Sequence, residues 1–143
     1  GAESAPASLS PTETLSARSR VKFRAVATSK QKYRQGAHRM FEPESRYVTC
    51  GINDELPGEI QMMLWLAIDS VRVLTDNKLD YLQVFTFKKV SDTVLEIRHE
   101  QEQPEEVRIH YTGYKDEYRN FIGEKVFVID DGDHSTMLFA YEY

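Results

Sequence analysis

From Arg46 onward the chain alternates between two hydrophobic periods. The stretch "RYVTCGI" (46–52) places β-branched and aromatic residues in alternation, which predicts a short strand stopped at Gly51. Asn53 or Asp54 then offers a helix N-cap, Pro57 suits a first turn, and a helix is predicted over 56–74. Its inward stripe is Ile60, Met63, Leu64, Ala67, Ile68, Val71 and Leu74, the spacing of one buried helical face. "DNK" ends it.

Period two follows. "YLQVFTFKK", "TVLEIRHE" and "EEVRIHYTG" alternate, separated by "VSD" and "QEQP", and read as an antiparallel meander. If Phe85, Phe87, Leu95, Ile97, Val107, Ile109 and Tyr111 share the helix-facing side, the first connection should be three residues, 90–92. A two-residue turn would set Lys88 opposite Leu95 and mix the faces. "YKDEYRNFIG" then predicts a short helix with Tyr114, Tyr118, Phe121 and Ile122 on one side. "EKVFVID" and "STMLFAYEY" are apolar on both faces, as central strands are. The expected fold is α+β: an antiparallel-rich sheet of about six strands, one long helix packed on one face, and a short second helix.

The first forty residues break this pattern. "GAESAPASLSPTETLS" is small, Pro- and Ser-rich, with nothing to bury, and reads as disordered. "ARSRVKFRAVATSKQKYRQGAHR" is basic. The expected organisation is a basic, disordered tail or leader segment over 1–39 and a single α+β domain over 40–143, with Met40 as the candidate native start. Charge divides the same way. Residues 1–40 carry eight Lys/Arg against two Asp/Glu, a net +6, and the remaining 103 carry ten against 21, a net −11. An acidic body repels phosphates, so direct nucleic-acid binding by the body is not expected.

Apolar content of 41% and charged content of 29% are ordinary for a globular protein, and no apolar run approaches the ~20 residues of a membrane-spanning helix. No membrane association is expected. A lone cysteine, Cys50, excludes an internal disulfide or a cysteine-rich zinc site, and a cytoplasmic location fits. Cys50 itself is expected to be an inert strand thiol.

Candidate chemistry concentrates in "VIDDGDHSTMLFAYEY". Asp130, Asp131, Asp133 and His134 are residue types that bind metals. Yet Asp-Gly between two β-rich runs is among the strongest hairpin signals, and no calcium-loop spacing follows. His99 and His110 fall on predicted strands, and Glu100, Glu102, Glu105 and Glu106 crowd a turn. Nucleophile elbows, phosphate loops and dinucleotide fingerprints are all missing from the sequence. The expectation is therefore no catalytic residue, no metal ligand and no cofactor.

The long helix has a second apolar side. Met62, Leu66 and Val73 project away from the core stripe, with Trp65 and Asp69 alongside. One sheet covers only one face of a helix. Met62, Trp65, Leu66, Asp69 and Val73 are therefore the expected interaction surface, for a protein partner or a homodimer.

Three blocks, "RYVTCGINDELPGEIQMMLWLAID", "DYLQVF" and "DDGDHSTMLFAYEY", resemble the bacterial family known as domain of unknown function 960, over about residues 40–143. That family occurs as small proteins and within mobile-element proteins of Gram-positive bacteria. The resemblance implies no catalytic residues. It does imply a role class, in which small acidic mobile-element proteins occupy a host protein. The leading expectation is a non-enzymatic interaction module. Next stands a mobile-element inhibitor of a host nucleic-acid enzyme, anti-CRISPR or anti-restriction in type, using its acidic surface. A metal-dependent hydrolase around residues 130–134 comes last.

Overall fold

A computed structural model describes residues 39–143; the expectations for residues 1–38 lie outside them. The described chain forms strand β1 (Arg46–Val48), helix α1 (Cys50–Glu55), helix α2 (Gly58–Leu74), the meander β2 (Leu82–Ser91), β3 (Val94–Glu102) and β4 (Glu105–Gly113), and the final pair β5 (Val126–Asp130) and β6 (Ser135–Phe139). These six strands form one sheet in the order β1-β6-β5-β2-β3-β4. Only β1–β6 is parallel, so the expected α+β, mostly antiparallel architecture is present.

Several local predictions are corrected. The strand predicted over 46–52 ends at Val48, because Thr49 caps a helix: its Oγ1 accepts from Ile52 N at 3.2 Å. Cys50 is thus an exposed residue in the first turn of α1 rather than a buried strand thiol. Asn53 and Asp54 lie inside α1, and α2 begins after Pro57 with no side-chain cap. The second α-helix is this N-terminal one. The predicted helix around Tyr118 is a 3-10 helix, Asp116–Asn120, tied to the start of α2 by Tyr118 donating to Glu59 at 2.7 Å.

The stripe of α2 follows the sequence period. Ile60, Leu64, Ala67, Ile68 and Val71 are buried in one cluster with Phe85, Leu95, Ile97, Val128, Met137 and Phe139. Each such large apolar side chain contributes about 1.5–3 kcal/mol on burial. Leu74, expected inside, is exposed at the last turn. Asp76 and Asn77 stop the helix in left-handed conformations, which these residue types tolerate.

The meander keeps its first face by a different device. The β2–β3 loop is two residues, Asp92-Thr93, and Val90 is absorbed as a bulge, so Lys88 pairs with Glu96 instead of Leu95. The second loop reverses the expectation for β4. Its two residues, Gln103-Pro104, set His99 opposite Arg108 and Ile97 opposite His110. Arg108 and His110 therefore share the side of Leu95 and Ile97. Val107, Ile109 and Tyr111 take the opposite face and are exposed.

Both ends of the described chain are pinned to this frame. Phe41 is fully buried with a left-handed φ of 57°; its N donates to Asp130 Oδ2 at 2.8 Å. Its carbonyl accepts from Arg46 at 2.9 Å and from Arg72 at 3.3 Å. At the other end, Glu142 accepts from Thr49 Oγ1 and from Phe139 N, each at 2.8 Å.

Candidate interaction surface

Helical geometry sets Met62, Leu66 and Val73 on one narrow arc of α2, opposite the buried stripe. They are 63%, 59% and 78% exposed. Two further residues expected there are engaged. Trp65 is partly buried against the main core, and the Arg46 guanidinium lies over its ring, 4.8 Å from the centroid. Asp69 accepts from Arg46 at 2.5 Å. Arg46 thus clamps this flank of the helix to β1, leaving Met62, Leu66 and Val73 as the free apolar groups of the predicted set.

The other flank of α2 borders a cleft of about 250 Å³, lined by Met63, Leu66, Ala67, Ser70, Ile97 and His110. Its far wall is β4, the last strand of the sheet. Among the described residues nothing pairs with the outer edge of this strand. Arg108 Nε and His110 Nε2 are also left without a hydrogen-bond partner there, although one Arg108 nitrogen reaches Glu106 at 3.1 Å. Burial, and secondarily the Arg108 charge, lower the pKa of His110, so its imidazole is neutral near pH 7. Sequence reasoning missed Arg108 and His110 as cleft residues. Their signal was hidden in the loop length that sets the parity of β4.

Deeper along the same face lies a buried polar relay. His99 is stacked on Phe85 with centroids 4.3 Å apart, and its Nε2 meets Gln83 Oε1 at 2.6 Å. Gln83 donates to Gln101 Oε1 at 2.8 Å, and Gln101 donates to the Lys78 and Pro104 carbonyls. These amides fix the β3–β4 turn from inside. His99 is buried, and desolvation, then the charges at His110 and Arg108, press its pKa down to about 3. A histidine that stays neutral and inaccessible serves architecture.

The closing "DDGDH" stretch is a turn. Asp131 N bonds the His134 carbonyl at 3.0 Å, and Gly132 supplies a φ of 103°. Asp130 is fully buried and accepts from Phe41 N and Gly132 N. Asp131 Oδ1 accepts from the Asp133 and His134 N–H groups. Among the described residues no group of three or more His, Cys, Asp or Glu is placed to hold a metal. Among them too, no helix is long and apolar enough to cross a membrane.

The chain is similar to the crystal structure of a protein of unknown function from Enterococcus faecalis, with a TM-score of 0.61 and 23% identity. The likeness covers 74% of this chain and 97% of that one, and it establishes a shared fold. Among curated proteins none matches. The profile of one family, described as Staphylococcal protein of unknown function, matches residues 45–142, so the chain belongs to that family, DUF960.

Proposed function

We propose that this chain is a non-enzymatic protein-interaction module, with α2 lying across one face of the sheet and its outer arc as the docking surface. One observation carries the reading. Met62 and Leu66 are more than half exposed, and Leu66 lines a cleft that reaches His110 on β4, a strand whose outer edge nothing among the described residues pairs with. Large apolar side chains held out of the core at helical spacing form the kind of exposed patch that marks interaction sites. An interface gives them a role, and Met is a common anchor in such surfaces.

The competing reading, phosphate mimicry against a nucleic-acid enzyme, draws on the net −11 of the body. Its densest acidic cluster is partly neutralised, since Glu100 pairs with Arg98 at 3.0 Å and Glu106 with Arg108 at 3.1 Å. This weakens it relative to the apolar surface.

The test is the double variant Met62→Ser, Leu66→Ser. The expected result is an unchanged urea midpoint with loss of self-association or of protein capture from a Gram-positive lysate. A variant that unfolds places the arc in the core and overturns the reading.

A further inference from the structure

We infer that a second copy of the chain docks at the strand edge beside this surface, joined by antiparallel pairing of β4 with β4 about a two-fold axis at Ile109. The inference rests on the interaction reading above and names its partner. Strand β4 presents an edge nine residues long that nothing among the described residues pairs with, with Val107, Ile109 and Tyr111 exposed on one face and Arg108 and His110 on the other. A two-fold interface must be self-complementary, so each register can be judged by which residues it brings face to face.

Centred on Ile109, Ile109 meets the partner's Ile109 and Val107 meets the partner's Tyr111. All three exposed apolar positions then face apolar ones. On the other face Arg108 meets the partner's His110, so no two guanidinium groups stand directly opposite. Neighbouring registers are worse. Centring on Arg108 opposes two guanidinium groups and sets Glu105 against the partner's Tyr111. Centring on His110 leaves Val107 against the partner's Gly113, and centring on Val107 sets Ile109 against the partner's Glu105. Cross-strand pairs decide between registers, and like charges directly opposite are destabilising. The same axis brings the cleft margins at Leu66 of the two copies to one side of a continuous twelve-stranded sheet.

Sedimentation equilibrium and cysteine cross-linking on the full chain test this, in a Cys50→Ser background because Cys50 is exposed. The expected result is a dimer in which Ile109→Cys cross-links to itself, while Val107→Cys and Tyr111→Cys cross-link mainly when mixed. Ile109→Lys, which places two like charges on the axis, is expected to weaken dimerisation at least about tenfold without shifting the unfolding midpoint. A chain that stays monomeric at sub-millimolar concentration overturns the proposal, as does a dimer that fails to cross-link through Ile109. If a monomeric chain still loses capture of other proteins on the Met62→Ser, Leu66→Ser change, the second copy is excluded while the interaction surface stands.

Discussion

The backbone N–H of Phe41 donates to the Asp130 carboxylate at 2.8 Å, joining residues 89 positions apart. Phe41 sits in the left-handed region, which costs an L-residue about 1–2 kcal/mol, and it persists there because neighbours hold both of its backbone polar groups. Asp130 uses its other oxygen on Gly132 N at 2.9 Å. Two buried donors therefore converge on one carboxylate. Asp130→Ala strands both and is expected to destabilise the fold by about 3 kcal/mol. Asp130→Asn is no rescue, since an amide offers one oxygen and turns its NH2 toward the other donor. A loss of about 2–3 kcal/mol is expected for it, read as a lower urea midpoint at constant slope. A carboxylate that only shaped the local turn would tolerate Asn with little change.

Arg46 does for one flank of α2 what Asp130 does for the incoming chain. Its guanidinium covers Trp65, meets Asp69 and donates twice to the Phe41 carbonyl. Arg46→Lys keeps the charge but loses the planar stack and the forked donor set, and is expected to cost about 1–2 kcal/mol. Asp69→Asn should cost no more than about 1 kcal/mol, because the Asp69 side chain is 39% exposed and solvent screens the pair. Equal effects in urea titrations would show that the ion pair, and not the packing on Trp65, dominates.

The pattern of these residues explains what the sequence made legible. The α2 stripe from Ile60 to Val71 was readable because helical period and burial coincide within one element. Arg46 over Trp65 was not, since a helical wheel contains no information about a guanidinium arriving from a strand. The face of β4 was misread for a related reason. Alternation fixes which residues share a side, while the side itself depends on a loop length that Gln103-Pro104 does not announce. Thr49 illustrates a third limit, because "RYVTCGI" satisfies both a strand pattern and an N-cap. Asp130 was fully explained by its Asp-Gly turn, which concealed its distant partner.

Gly51 offers a change of sign. A Cβ built there would lie 2.5 Å from Glu142 Oε2, so the carboxylate that serves Thr49 and Phe139 must move. Alanine in a helix gains up to about 1 kcal/mol over glycine, while the lost hydrogen bonds cost about 1–3 kcal/mol. Gly51→Ala is therefore expected to destabilise by about 1 kcal/mol. In a Glu142→Ala background the obstruction is gone, and the same substitution should stabilise. A double-mutant cycle measured by thermal unfolding reads this inversion, and additive effects would refute the contact.

His99 should make the fold acid-sensitive before any carboxylate titrates. Its pKa is lowered to about 3 by burial and by His110 and Arg108, whereas an unfolded histidine titrates near 6.5. Between these values the unfolded chain binds a proton that the native chain does not, so stability rises with pH. The contribution is complete above about pH 6.5 and is lost as pH falls toward 3, with about 2 kcal/mol gone by pH 5. His110, lowered in the same direction, adds to the slope. His99→Gln keeps a donor for Gln83 Oε1 and removes the titration. Chemical unfolding from pH 7 to pH 5 is expected to show a clear decline for the natural chain and a flatter curve for His99→Gln. Parallel curves for the two would mean that the buried imidazole already takes up its proton in the folded state.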